Sequence, residues 1–469
     1  MNKHRTGVFL GVAFFVLTWI FPSPEGLGDT GWKVVGVALL MAVFWLSECI
    51  PISATALIPL VLFPLLGVLS IRETAAPYAN PLIFLFLGGF LIAHAIEKTG
   101  LHRRLALLLL SRCHPTPRGI VLGLLITSAT ISMWVSNTAT ALMMLPIAFS
   151  ILSLFVDEEP KNRHVSSRAL LAVAYGCTIG GVATLIGTPP NALLAAFLEE
   201  TRDYTIGFSQ WMLIGIPIAA VGLVAAYFVL RSGLDRKKGT AGIEKRLQQA
   251  QRNLGPISFS EKCVSIVFAV TAVAWMTRPI VEQWIPAISD AGIAIAAGVV
   301  FFLIPMEKGS RGFILEADAF SKIPLGILIL FGGGLSLAAA MKKTDLDDWM
   351  GVQFGALSGV PEWMILVLFC GFILLLTELT SNTATTATFL PVAAALSLSL
   401  DSSESALLAG TALAASCAFM MPVGTPPNAV VYGTGQIGVR EMIRSGIRLN
   451  LLFLVLIVVA VKTLGPFVF

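Results

Sequence analysis

Long apolar runs broken by short polar clusters dominate this chain. Runs near 7–21, 32–47, 53–69, 81–97, 167–186, 211–231, 263–277, 291–304, 323–341, 404–421 and 447–466 approach the about 20 residues that a helix needs to cross a bilayer. They predict eleven spanning helices. Two further apolar stretches, 118–154 and 361–399, are each long enough for two helices. Each carries a Ser-Asn-Thr cluster at its middle instead of a charged loop. A polar tip at membrane depth is tolerable only where protein encloses it around a wet cavity. The pattern therefore predicts two re-entrant helical hairpins in an all-α polytopic membrane protein.

The polar clusters recur. Ser-Asn-Thr-Ala-Thr stands at 136–140 and again at 381–385, an offset of 245 residues. The same offset aligns Phe86, Gly88 and Gly89 with Phe331, Gly333 and Gly334. It also aligns Lys98 and Thr99 with Lys343 and Thr344, and Leu145 and Pro146 with Leu390 and Pro391. Gly-Thr-Pro-Pro-Asn follows each copy, at 187–191 and 424–428. Matching helix-breaking motifs in two halves are the sequence mark of a transporter built from a two-fold repeat. The expected parts are N-terminal scaffold spans (1–80), a first repeat core (81–210), scaffold spans with a linker at 231–262 (211–322), a second core (323–446) and a last span (447–469). Residues 98–113 and their counterpart 343–356 fit either amphipathic interfacial helices or continuations of the preceding span. Within the linker, 243–253 is rich in Gln and Lys; it fits a surface helix, but a solvated connection between the halves is the favoured expectation.

Composition agrees with a membrane class. Hydrophobic residues make up 56% and charged residues 12%, about half the charged share of a soluble domain. Charge also gives an orientation. With the N-terminus in the cytoplasm, 24 of the 31 Lys and Arg residues fall on the inner side, as the positive-inside rule requires. Phe469 then lies outside. Five spans separate the two copies, so the repeats are expected to be inverted. Lys3 and Arg5 precede the first apolar run, but no small-x-small site follows it, so that run is expected to stay as a helix. The six cysteines are scattered, with no CxxC, which argues against disulfides and metal clusters. A net charge of +4, confined to loops, is no nucleic-acid signal.

A Ser-Asn-Thr loop between helix halves offers oxygens to a hard cation and N–H groups to an anion at a positive helix end. An Asn amide serves both, with one acceptor oxygen and two donors. Gly-Thr-Pro-Pro-Asn breaks a helix by removing donors, which leaves carbonyls free. None of these motifs contains Lys or Arg. A dianion held by neutral groups alone binds poorly in a dry site, so a bound cation is expected to supply the charge. Cation and anion binding then depend on each other.

These paired motifs resemble the divalent anion:sodium symporter family, the sodium-coupled di- and tricarboxylate and sulfate carriers. Trp45-Leu-Ser-Glu-Cys-Ile-Pro51, followed by Thr55, resembles that family's early helix signature. The resemblance covers nearly the whole chain. It implies one Na⁺ site at Ser132, Ser136, Asn137 and the backbone at Gly187. A second is implied at Thr377, Thr380, Asn382 and the backbone at Gly424. Ser132 and Thr377 are also mates under the 245 offset. Substrate carboxylates are expected at Asn137, Thr138, Asn382 and Thr383, with Thr188, Thr425 and Pro426 closing the site. The resemblance further implies a homodimer in the inner (plasma) membrane, an elevator-type motion, Na⁺ as the co-transported ion and no organic cofactor. The expected activity is Na⁺-coupled symport of C4-dicarboxylates such as succinate, malate and fumarate. Sodium-independent di- or tricarboxylate exchange, and sulfate or citrate symport, are the competing readings within the family. An intramembrane enzyme is disfavoured: the chain has no HExxH and no Asp-rich motif in a span.

Three titratable residues stand out. Glu378 precedes Asn382 by four positions and matches Met133 in the other half, so it lies outside the symmetric pair of sites. It is expected to brace the hairpin, with Gln at 378 preserving transport. Glu48 is expected to orient a helix and not to touch substrate. His94 reads as a core or helix-end residue.

Overall fold

The computed structural model describes residues 3–153, 160–234, 241–307, 312–355, 359–398 and 404–469. The described residues form helices, joined by turns, with a single isolated bridge between Pro305 and Phe313. Arg236, Lys237, Lys238, Lys308 and Arg311, and the start of the 157–164 loop, lie outside the described residues.

Among the described residues, seven helical segments are long and apolar enough to cross a bilayer: Asp29–Ser47, Ile71–Thr99, His164–Val182, Phe208–Leu230, Phe259–Val281, Leu325–Lys343 and Val439–Phe467. Shorter apolar helices accompany them, the first at His4–Ile20. The first helix turns Phe9, Trp19 and Ile20 outward, as a lipid-facing surface does.

Both hairpins form. The first pairs Pro117–Ser132 with Asn137–Leu152, the second Glu362–Thr377 with Asn382–Leu398. Their arms hold 16 or 17 residues, about 24–26 Å of helix, short of the about 30 Å hydrocarbon core. Local chemistry sets their ends. Thr116 caps the first arm by accepting from the Gly119 N–H at 3.1 Å, with Pro117 at the start, where a missing donor costs nothing. Ser136 caps the next arm through the Ala139 N–H at 3.3 Å.

Each hairpin packs against a helix that breaks. Pro160–Val182 stops and resumes as Pro189–Arg202, and Glu404–Ser416 stops and resumes as Pro426–Tyr432. The first contact is close enough to demand glycine: a Cβ on Gly180 would lie 2.2 Å from the Ala129 carbonyl oxygen. The element order of the first half thus recurs in the second. Phe86 and its mate Phe331 touch each other, ring centroids 5.3 Å apart at 72°.

Three regions refine the sequence reading. The run at 53–69 is not one helix but two short ones, Ile52–Thr55 and Ile58–Leu65. Pro59 has no N–H to offer the Thr55 carbonyl, so the helix stops there. The Ala56 carbonyl then accepts from the Tyr78 hydroxyl. Leu101–Leu110 and Leu346–Phe354 are separate helices. Gly100, at φ +79, and Asp345, at φ +52, turn the chain before them. Within the linker, Ala241–Asn253 is a helix.

Candidate functional site

The two hairpin tips and the two helix breaks meet around a cavity of about 1050 Å³. Asn137, Thr138, Gly187 and Thr188 line it from one half; Asn382, Thr383, Gly424, Thr425 and Pro426 line it from the other. Four helices begin at this wall, at Asn137, Pro189, Asn382 and Pro426. The helices that open at Asn137 and Asn382 present free N–H groups and positive dipole ends to an anion; the two that open with Pro-Pro lack N–H groups at their first two positions. No Lys or Arg lines the cavity among the described residues.

Behind Asn382 lies a cluster of oxygens. The Thr377 hydroxyl lies 2.7 Å from the Asn382 side-chain oxygen and gives its single proton to the Ala415 carbonyl at 2.8 Å. In that orientation the amide oxygen faces only acceptors. Turned over, the amide nitrogen donates to the Gly424 and Ala415 carbonyls, each at 3.1 Å, and to the Thr377 hydroxyl at 2.7 Å. An amide oxygen, a hydroxyl and two carbonyls freed by helix ends are the ligand chemistry of a hard monovalent cation in a broken-helix site. A cation between them resolves the acceptor-only contact as well as turning the amide does. The Ala415 carbonyl was not legible in the motifs; it is freed because Glu404–Ser416 ends there.

The first half is built alike. The Ser132 hydroxyl donates to the Asn137 amide oxygen at 2.5 Å. A Cβ on Gly181 would fall 2.8 Å from that oxygen and 3.0 Å from the Gly187 carbonyl. The bare glycine therefore leaves the space these oxygens face. Ser132 and Thr377 are fully buried and stand behind the cavity wall.

Two expected cation ligands have other partners for their hydroxyls. Thr380 donates to the Leu376 carbonyl at 2.8 Å and pairs with the Thr385 hydroxyl at 2.7 Å. Ser136 is the helix cap described above. Both residues still line the cavity. Thr425 caps its helix through the Asn428 N–H at 3.3 Å, whereas Thr188 precedes Pro189 in extended conformation and makes no such bond.

The last residue of each Gly-Thr-Pro-Pro-Asn motif has a role that sequence reasoning missed. Asn191 donates to the Gly181 and Thr184 carbonyls at 3.2 and 2.9 Å. Asn428 donates to the Ala418 and Met421 carbonyls at 3.3 and 3.1 Å. In both halves the partners lie ten and seven residues upstream. Each Asn satisfies carbonyls that the helix break strands, which holds the break open in the apolar interior.

Glu378 braces a segment, as expected, but with more partners than a single bond. It is 2% exposed. One carboxylate oxygen accepts from the Phe419 and Met420 N–H groups at 2.8 and 3.0 Å and from the Asn450 amide at 2.8 Å. The other accepts from Met420 and Met421 at 3.1 and 2.8 Å. Every bond runs toward the carboxylate, so Gln cannot replace it unchanged: its NH₂ would face backbone donors. Glu48 ends its helix at φ +50 and is exposed at the cavity edge with His4. Trp134, beside the first tip, stacks on Phe208 at 6.0 Å, and Phe208 stacks on Trp275 at 4.3 Å. These rings pin the tip against Phe259–Val281.

Among the described residues, no group of three His, Cys, Asp or Glu side chains is placed to hold a metal ion.

A family model described as the sodium:sulfate symporter transmembrane region matches residues 2–469. The sodium-dependent dicarboxylate transporter SdcS of Staphylococcus saprophyticus is 39% identical over 472 residues, covering 98% of this chain and 91% of that protein. SdcS of Staphylococcus aureus strain USA300 is 37% identical over 476 residues, with the same coverages. Among solved structures, the Alcanivorax borkumensis YdaH transporter superposes with a TM-score of 0.61 over 100% of both chains, at 16% identity. That likeness concerns the fold alone.

Proposed function

This chain belongs to the sodium:sulfate symporter family, and from that premise we propose that it carries C4-dicarboxylates into the cell together with Na⁺. The observation that carries the reading is the cavity wall: two Asn amides, each backed by a hydroxyl, at the starts of two helices, with no basic side chain among them. The helix N-termini receive the carboxylates. The oxygens behind each Asn receive Na⁺, at Ser132, Asn137 and Gly187 in one half and at Thr377, Asn382, Gly424 and Ala415 in the other. A dianion and neutral ligands balance only once cations are bound, which couples the two. The full-length similarity to proteins named as sodium-dependent dicarboxylate transporters supports this substrate class over sulfate.

The chain works as an inverted repeat on this reading, with eleven spans and two hairpins. Contact between Phe86 and its own mate Phe331 supports it, because residues on a two-fold axis touch their equivalents. Asn191 and Asn428, bonded at the same upstream distances, support it further. The cavity opens toward the side that holds His4 and Glu48, the cytoplasm in the proposed orientation. The hairpins and broken helices then move as one body against the remaining spans, within a homodimer. The two asparagine clips support that rigidity by tying each break to itself.

Two experiments test this. In proteoliposomes, an inward Na⁺ gradient is expected to drive labelled succinate uptake, and replacing Na⁺ by choline to abolish it. Equal uptake in choline, or with a proton gradient alone, refutes sodium coupling. In a cysteine-free background, single cysteines at Ser232 and at Phe469 are expected to label from opposite sides of the membrane, the first from the cytoplasm. Labelling of both from one side refutes the eleven-span orientation.

A further inference from the structure

We propose that the cleft between the linker helix, the interfacial helix Leu101–Leu110 and the outer arm of the first hairpin binds one anionic phospholipid. Its phosphate sits between Arg103 and Arg246, and its upper acyl chain lies along Leu142, Met143 and Ile147. The cleft encloses about 310 Å³ and is lined by apolar side chains, Ser150 and these two arginines, with no acidic residue. Arg246 donates to the Ser150 carbonyl at 3.3 Å. The Arg103 side chain is exposed and makes no hydrogen bond or ion pair among the described residues.

The roof is fastened. Gln251 donates to the Leu107 carbonyl at 3.1 Å. Arg104 pairs with Glu261 at 2.8 Å and donates to the carbonyls of Leu254, Gly255 and Pro256. The flank is open: Leu142, which lines the cleft, is 56% exposed. A soluble anion makes no use of the apolar wall, and a zwitterionic lipid brings no net charge to the two guanidiniums. A phosphate on an acyl chain, entering sideways from the bilayer, satisfies both. Lys98, Arg112, Lys245 and Arg252 lie on or next to the same helices, outnumbering Glu97 and Glu244 there, and add positive charge of the kind that draws anionic lipid to the cytoplasmic leaflet. The leaflet rests on the orientation proposed above; the cleft does not. Occupancy links the hairpin arm to the linker without touching the cavity.

The test reads lipid mass and is independent of uptake. Full-length protein is reconstituted in nanodiscs of phosphatidylcholine with phosphatidylglycerol, extracted, and weighed by native mass spectrometry. One phosphatidylglycerol per protomer is expected to be retained in preference to phosphatidylcholine. Charge near an anionic surface is worth about fivefold per arginine, so Arg103→Ala with Arg246→Ala weakens retention by about 30-fold. The Arg103→Lys, Arg246→Lys pair keeps most of it. Ile147→Trp, which fills the cleft, expels the lipid with both arginines in place, and carries the test if the alanine pair fails to fold. Free glycerol 1-phosphate is not expected to compete. Equal retention of both lipids by the unaltered protein, undiminished retention in the alanine pair or in Ile147→Trp, or displacement by glycerol 1-phosphate overturns the proposal.

Discussion

Replacing Asn137 or Asn382 by alanine is expected to lower the apparent affinities for Na⁺ and for succinate together, each by about tenfold to a hundredfold. Each Asn opens a helix at the cavity wall, so its amide can donate to a carboxylate. Each amide also touches a buried hydroxyl and neighbouring carbonyls that face the same small space. Alanine removes both functions at once. Loss of a hydrogen bond to a charged group costs about 1.5–3 kcal/mol, which gives the stated factor. Because the two ligands are linked, weakening one weakens the other reciprocally. Sodium titrations at fixed succinate, and succinate titrations at fixed sodium, on each purified variant check this. Near-normal affinity for both ligands in either variant places the site elsewhere. Loss of succinate affinity alone, with sodium affinity intact, removes that Asn from the cation site.

Glu378→Gln is expected to destabilise the protein and weaken sodium binding, although it keeps the side chain's shape. All donors around Glu378 point at it, two to one oxygen and three to the other. An amide keeps one acceptor oxygen; with that oxygen toward Phe419, Met420 and Asn450, its NH₂ strands the Met421 donor. A stranded buried donor costs about 1–3 kcal/mol, which is the expected cost of the substitution. The segment released, 419–421, leads directly into Gly424, whose carbonyl faces Asn382. Thermal unfolding should therefore occur at a clearly lower temperature, and hydrogen exchange should quicken at 419–421. Succinate affinity at saturating sodium should change less than sodium affinity. A variant that melts with the unaltered protein and exchanges at the same rate shows that Glu378 does not hold the 419–421 segment.

The parts legible in the sequence were those where a local rule is broken inside an apolar run. Proline pairs and Ser-Asn-Thr clusters cannot sit within a lipid-facing helix, so they marked both hairpins, both breaks and the cavity wall. The repeat offset paired Ser132 with Thr377, and each lies against its Asn. What escaped depended on distance along the chain. The donors to Glu378 lie 41 to 72 residues away, and nothing local to Glu378 names them. The Ala415 carbonyl became a candidate ligand only because its helix ends there. Thr380 had the right residue type, but just past a helix end a threonine hydroxyl readily bonds a carbonyl of the preceding turn. The break at Ala56 and Leu57 was marked by Pro51 and Pro59, yet the surrounding apolar run masked it.

The bonds to Glu378 also order events during synthesis. The hairpin that holds Glu378 leaves the ribosome before any of its partners. The N–H groups of 419–421 follow about forty residues later, and the Asn450 amide arrives 72 residues after Glu378, on the last long helix. Until then the charge has no ligands within the finished chain and cannot be buried in hydrocarbon without a heavy penalty. The second hairpin must therefore wait near water, or in the insertion machinery, until nearly the whole chain has emerged. The first hairpin, with Met133 in the equivalent place, is under no such constraint and can seat as soon as Pro160–Val182 is made. The two hairpins are therefore completed on different schedules.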